Sequence, residues 1–357
     1  MTRAGIKPPI HLPELVRATF NRAKSSGDVN FYPTQVVCLR AGAAGLMTIQ
    51  LRFSPSLANK PKQPPASSSA GKDDKTPSQK PFNPFENPPQ PLVITHLGAD
   101  YTLVLNKFAI VPEHFLLITR AFKPQTNLLE AEDLAAAYSC IRAYHEEREE
   151  LFAFFNCGEH SGASQPHRHL QLLPVARMKD GLDQDGALGG ATVAAVAPTW
   201  DVLADRLVHR NDSSNNQNPV SLPFVTFGEP LRENMSPHDL RAVYLRLYRK
   251  ACAAVGGGLA PTETELAKLE SNNNKNGIPA RISYNMAMTK DSMVLCPRKA
   301  EGAAITDKDG NEVGKLSLNG TVLAGTALVK SEAEWNALRE DPEQLWRILG
   351  RIGVASG

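Results

Sequence analysis

Strand-like and helix-like runs intermix along this chain without a regular βαβ rhythm or a glycine-rich phosphate fingerprint. That combination predicts an α+β fold built on an antiparallel sheet flanked by helices. Two breaks in composition add low-complexity insertions to the core: a Pro-, Ser- and Lys-rich tract near residue 70, and a Gly- and Ala-rich one after Pro174. At 357 residues the chain is long enough for two lobes or one elaborated domain, either of which buries a real core.

Leu15, Val16 and Phe20 recur at helical spacing between Leu12 and Lys24, so a short amphipathic helix opens the fold. Phe31 to Phe53 alternates as strands do. Residues 61–91 offer scarcely an aliphatic side chain to bury and are expected to form a flexible loop. Deleting Lys72 to Pro88 is therefore expected to leave activity nearly unchanged. Tyr101 to Leu105 and Phe115 to Thr119 read as a hairpin joined across Asn106-Lys107 and Pro112-Glu113-His114. Leu129 to Glu149 is rich in Ala, Leu and Glu and reads as a helix, followed by a strand over Leu151 to Phe155. Ser236-Pro237-x-Asp239 starts a second long helix, because serine caps free amides, proline suits the first turn and aspartate faces the positive dipole end. It should run to about Val255. Ile282 to Met288 and Met293 to Cys296 are strand-like, and Gly320 to Gly353 supplies a strand and then a helix. The breaks divide the chain into a first region over 1–178, an insertion or linker over 179–219, and a further region over 220–354.

Formal charge is +2 with both signs spread along the chain, so no basic stripe exists for a nucleic acid. Cys38, Cys140, Cys157, Cys252 and Cys296 are odd in number and scattered, which points to a reducing compartment. No signal-like segment or spanning run of apolar residues is present, so no membrane association is expected. A cytoplasmic location is the default expectation, with the nucleus as a second.

The stretch from Asn156 to Pro174 carries the chemistry. His167, His169 and Gln171 lie at i, i+2 and i+4, so on a strand they form one polar row. Ser161-Gly162-Ala163-Ser164-Gln165 just before it is built of small residues whose amides approach an anion closely. Leu170, Leu172 and Leu173 anchor the strand. A neutral imidazole attacks phosphorus well at pH 7, and its other nitrogen needs a fixed acceptor, for which the His167 carbonyl is a candidate. Gln171 can steady phosphoryl oxygens without charge, and Lys60, Lys107 or Lys290 can neutralise them if the fold brings them near. An H-x-H pair by itself is more often a metal pair or two solvated side chains than a nucleophile, His114 and Asn106 fit a turn, and Cys157 fits a buried small side chain.

Asn156 through Gln171, together with Asn106-Lys107-Phe108-x-Ile-Val-Pro-Glu-His114, resembles the histidine-triad superfamily and, within it, the fungal-type diadenosine tetraphosphate phosphorylases, also called ATP adenylyltransferases. Ser54 to Lys60, Leu105 to Phe108, Ser283 to Lys290 and Val294 to Arg298 resemble further blocks of that family in the same order. The resemblance implies a histidine-triad-like sheet and a reversible phosphorolysis of the dinucleotide to ATP and ADP, with His169 as nucleophile flanked by His167 and Gln171. It also implies nucleotide contacts at Lys60, Leu105, Asn106, Asn156, Gly162, Ala163, Ser164, Gln165, Gln171, Ser283, Tyr284, Asn285, Met288 and Lys290. The implied ligands are a dinucleotide polyphosphate, inorganic phosphate, ATP and ADP, bound to a monomer. No cofactor is expected, and any divalent cation such as magnesium arrives with the polyphosphate. Met293 stands where related chains carry an aromatic residue, which puts the adenine pocket in question.

Three other readings stay open. A hexose-phosphate uridylyltransferase shares H-x-H-x-Q but has proline where Arg168 stands here. A histidine-triad hydrolase has a third histidine in place of Gln171. A non-catalytic nucleotide sensor would bind without covalent labelling.

Overall fold

Strands that carry apolar side chains on both faces must be covered on both, and this requirement organises the molecule. The computed structural model describes residues 6–42, 47–59, 82–182, 200–208, 222–256, 258, 260–266 and 277–355. In chain order the elements are α1 (Leu12–Ser25), β1 (Gln35–Ala41), β2 (Met47–Phe53), β3 (Val93–Leu97), β4 (Tyr101–Leu105), β5 (Phe115–Thr119), α2 (Ala131–Glu146), β6 (Leu151–Cys157) and β7 (His169–Pro174). They continue with α3 (Val175–Met178), α4 (Leu203–Val208), β8 (Phe227–Pro230), α5 (Pro237–Val255), β9 (Ser283–Met288), β10 (Ser292–Arg298), β11 (Gly302–Thr306), β12 (Glu312–Ser317), β13 (Thr326–Val329), α6 (Glu332–Glu340) and α7 (Glu343–Ile352).

The main sheet has the order β3-β4-β5-β7-β6-β9-β10-β8, with antiparallel neighbours throughout. One face buries Leu103, Leu105, Ala153, Phe155, Leu170, Leu172, Tyr284, Met286 and Met288 beneath α1, α2 and α5. The opposite face presents Phe152, Phe154, Leu173, Ala287 and Val294 to a second core formed with β1, β2, β13 and the C-terminal helices. The α+β expectation and the β4–β5 hairpin hold. The smaller sheet departs from purely antiparallel pairing: β13 runs parallel to β2, a pairing across more than 270 residues that no local pattern encodes.

Local chemistry sets the helix ends. Ser236 and Asp239 form a reciprocal capping box with Pro237 in the first turn, and α5 ends at Val255 before Gly256. Glu130 and Asp133 cap α2 in the same way.

Two segments expected to stand outside the core belong to it in part. Within the 179–219 insertion, Trp200 is buried and donates from Nε1 to the Gly325 carbonyl at 3.0 Å, and Asp205 of α4 accepts from the Thr289 and Ser292 hydroxyls. Within the 61–91 loop, residues 82–91 hold a turn and lead into a short 3-10 helix, Gln90–Leu92, whose Leu92 is buried.

Arg168, between the two histidines, enters the helix-covered side completely buried. Its Nη1 donates to Asp133 at 2.7 Å and Glu130 at 3.0 Å, and its Nη2 donates to the Leu128 carbonyl at 3.2 Å. Tyr101 donates to the second Asp133 oxygen at 2.8 Å. Breaking such a pair strands a charge in a low dielectric and typically costs about 3–5 kcal/mol. Arg168→Ala should therefore lower the unfolding free energy obtained by urea titration by an amount of that order, and a loss below about 1 kcal/mol would contradict the assignment of Asp133 as a buried counter-charge.

Candidate active site

Strand parity puts the row on one face. Leu170 and Leu172 pack beneath the helices, so His169 and Gln171 emerge on the opposite side of β7. His169 is 1 % exposed. Its Nδ1 donates to the His167 carbonyl at 2.8 Å, as the strand geometry suggested, and its Nε2 has no hydrogen-bond partner among the described residues. Burial lowers its pKa to about 4, the bond to the carbonyl opposes that shift, and His167 adds to it. The ring is thus neutral at pH 7 with its lone pair on Nε2.

Gln125, which no motif or spacing singles out, clamps this residue by its backbone. The His169 N–H donates to Gln125 Oε1 at 2.8 Å, and Gln125 Nε2 donates to the carbonyls of His169 at 3.2 Å and Asn156 at 2.8 Å. One buried amide therefore ties the end of β6 to the start of β7.

His167 does not offer a free nitrogen to a ligand. Its Nε2 donates to the Thr119 carbonyl at 2.7 Å, and its Nδ1 accepts from Asn83 Nδ2 at 2.9 Å. With both nitrogens engaged, the metal-pair alternative loses one of its two ligands. Asn83 and Phe85 were not expected here. The Phe85 ring lies 5.1 Å from the His169 ring centre and 5.8 Å from that of His167, while Asn83 Oδ1 accepts from the Phe85 N–H at 3.0 Å. Deleting Lys72 to Pro88 removes both residues. In contrast to the sequence expectation, that deletion should lower phosphate-dependent ADP formation at least tenfold, as read by steady-state kinetics.

Gln171 closes a chain of neutral groups. His114 Nε2 donates to Gln171 Oε1 at 2.6 Å, and Asn106 Nδ2 donates to His114 Nδ1 at 3.2 Å. The Gln171 amide nitrogen has no bond among the described residues and points its donors elsewhere. Burial lowers the pKa of His114 to about 4, opposed by its bond to Gln171 and assisted by His169. The turn residue before it, Glu113, adopts φ 61° and pairs with Arg17 at 3.5 Å and Arg177 at 3.8 Å. Those ion pairs hold a left-handed conformation that a glutamate rarely adopts.

The remaining sequence candidates separate into groups. Asn156 and Asn285 are on the site face, but their side chains are committed to the protein. Asn156 Oδ1 accepts from Asn285 Nδ2 at 2.9 Å and from the Gly320 N–H at 2.8 Å, Asn285 Nδ2 also donates to the Ser161 carbonyl at 2.8 Å, and Asn285 Oδ1 accepts from Arg298. This network fixes the loop that carries Gly162, Ala163, Ser164 and Gln165. Gly162 has φ 76°, and a Cβ there would meet the Leu318 carbonyl at 2.9 Å. Ala163 and Ser164 are exposed and Gln165 is half-buried. Ser283 accepts from the His160 N–H at 3.2 Å and so supports the same loop.

Leu105, Tyr284 and Met288, by contrast, are buried in the helix-covered core, on the wrong face for the row. Met293 lies in that core too, so the doubt attached to it does not reach the site face. Lys290 sits at the β9–β10 turn, paired with Asp291 and next to Tyr138 of α2. At roughly 3.4 Å per residue, this is on the order of 17 Å along the strand from Asn285. Lys107 is exposed at the β4–β5 turn. Lys60 lies outside the described residues. Among those residues, no cluster of three His, Cys, Asp or Glu side chains is arranged to hold a metal ion.

The two depressed imidazoles predict a pH effect. An unfolded chain protonates them near 6.5 whereas the folded one does so near 4, so between these values the unfolded state binds more protons. Their contribution to stability is complete above about 6.5 and is lost as pH falls toward 4. The urea midpoint should drop over that window, and a flat midpoint from pH 7 to 4.5 would mean that the two rings protonate in place.

Residues 3–184 match the Ap4A phosphorylase N-terminal domain, and residues 220–355 match the ATP adenylyltransferase C-terminal domain. The chain is 30 % identical over 316 residues to diadenosine 5',5'''-P1,P4-tetraphosphate phosphorylase 2 of Saccharomyces cerevisiae, covering 84 % of this chain and 82 % of that protein. It is 26 % identical over 353 residues to the protein APA1 of the same yeast, covering 97 % and 95 % of the two chains. Its fold superposes on the crystal structure of yeast Ap4A phosphorylase Apa2 with a TM-score of 0.67, at 26 % identity over 98 % of this chain and 96 % of the other. The same yeast protein in complex with Ap4A gives a TM-score of 0.66 at 24 % identity, over 98 % and 99 % of the two chains. The chain belongs to the Ap4A phosphorylase family.

Proposed function

We propose that this protein phosphorolyses diadenosine 5',5'-tetraphosphate to ATP and ADP, reversibly, through an adenylyl-histidine at His169. One observation carries the mechanism: a buried, neutral imidazole whose Nδ1 proton is held by a backbone carbonyl, leaving the Nε2 lone pair without a partner among the described residues. Membership of the family and the similarity to the yeast phosphorylases support the choice of substrate.

His169 Nε2 attacks the α-phosphorus, the N–P bond forms, and ATP leaves with the electron pair of the broken P–O bond. The His167 carbonyl stabilises the resulting imidazolium-like ring through Nδ1–H. Phosphate oxygen then attacks the same phosphorus, ADP departs, one proton goes to solvent and the lone pair returns to Nε2. Gln171, whose Oε1 is taken by His114, keeps its amide N–H groups for the phosphoryl oxygens. An amide in that position does not titrate, so it neither activates water nor protonates a leaving group. The small-residue loop at 162–165 offers further backbone donors. We propose a monomeric, cytoplasmic enzyme for which magnesium, where needed, arrives with the substrate.

Incubation with diadenosine tetraphosphate, followed by ion-exchange separation of products, should give ATP plus ADP only when phosphate is present. ATP plus AMP independent of phosphate would overturn the choice of acceptor. His169→Ala should keep the melting transition while turnover falls by about three orders of magnitude or more, since the covalent route is lost. Near-normal phosphorolysis in that variant would remove His169 from the mechanism.

A further inference from the structure

We propose that the Asn83–Phe85 segment selects the acceptor, by keeping water from the adenylyl-histidine so that phosphate takes the adenylyl group. This rests on the phosphorolytic reading above. An adenylyl-histidine is consumed by whichever oxygen nucleophile first reaches its phosphorus, and bulk water vastly outnumbers phosphate. An enzyme that yields ADP needs a means of excluding water from that bond.

Phe85 is placed to do this. Its ring touches both imidazoles and is backed by Val104, Leu116 and Ile118 in a small apolar cluster on the site face. Directly beyond it lies a polar groove of about 670 Å³, lined by Phe85 and Thr119 together with Glu86, His96, Asp100 and Lys123. Phe85 and Thr119 therefore border both spaces, with the histidines on one side and a groove open to solvent on the other. The Phe85 ring is the wall between them.

Asn83 holds that wall in place with one side chain. Its oxygen takes the Phe85 N–H at 3.0 Å, and its amide donates to His167 Nδ1 at 2.9 Å. The second bond also sets the tautomer of His167, whose Nε2–H then donates to the Thr119 carbonyl at 2.7 Å. The segment is thus fastened to the residue whose carbonyl positions His169, and Asn83 acts as a positioning residue.

When phosphate attacks the α-phosphorus, the N–P bond breaks and ADP forms with release of one proton. When water attacks, the same bond breaks, AMP forms and two protons are released. The ratio of AMP to ADP therefore reads the acceptor directly, independently of how fast the enzyme is adenylated. Labelled diadenosine tetraphosphate and a fixed, saturating phosphate concentration should give a ratio at least tenfold above wild type in Phe85→Ala, with labelled adenylyl-enzyme still forming. Phe85→Leu, which refills the space with an apolar side chain, should return the ratio to within about threefold of wild type, and Asn83→Ala should raise it several-fold.

A ratio within twofold of wild type in Phe85→Ala would overturn the proposal. So would loss of adenylation in both Phe85 variants, which would assign the segment to nucleophile formation instead. Should Phe85→Ala lack a cooperative melting transition, the ratio in Asn83→Ala decides, with no rise counting against the proposal. Wild type that makes no ADP in phosphate would instead overturn the phosphorolytic reading itself.

Discussion

A guanidinium buried beneath the sheet governs the placement of everything around it. Arg168 lies between the two histidines in sequence, and strand alternation sends it to the side opposite theirs. There it meets Asp133 and Glu130, the two residues that cap α2. The carboxylates that begin the helix thus also fix the run in which the nucleophile sits. A one-residue slip would bring an imidazole under the helices and a guanidinium into the site, so the ion pair specifies register as well as contributing to stability.

On the opposite face the supporting groups are mostly uncharged amides. Gln125 bridges β6 and β7, Asn156 and Asn285 join β6, β9 and the C-terminal loop, and Asn106 leads through His114 to Gln171. Amides both donate and accept, so each can tie two strands without bringing a charge that would titrate or need a counter-ion. Burial keeps the imidazole of His169 neutral, and no titrating partner among these amides opposes it. Its surroundings are dry and polar, which is the environment in which fixed dipoles act most strongly on a developing phosphoryl charge.

Local features were legible in the sequence. The start of α5 followed from Ser236, Pro237 and Asp239, and the common face of His169 and Gln171 followed from a period of two. Which face each strand turns toward the helices was not legible, because sheet neighbours distant in sequence decide it. Leu105, Tyr284 and Met288 were consequently placed by resemblance in the site, whereas parity sends them into the core. Asn83 and Phe85 were hidden in a polar tract whose composition argued for looseness. Their one available signal was that Phe82 and Phe85 are the sole aromatic residues between 61 and 91. Gln125 offered none, since its importance comes entirely from the two strands it happens to join.

The two sequence families that match this chain meet in the middle of a sheet. β6 belongs to the first and β9 to the second, yet they are adjacent strands, and the Gly320 amide completes the hydrogen bonding of Asn156 from 164 positions away. Neither half has a finished edge at that seam: each would expose a row of unpaired backbone groups and a bare apolar face. The boundary between the two matched regions is therefore not a boundary in architecture. A chain severed there would run as two pieces under denaturing conditions while remaining one particle in solution, and the two genes such a cut implies would have to be expressed together.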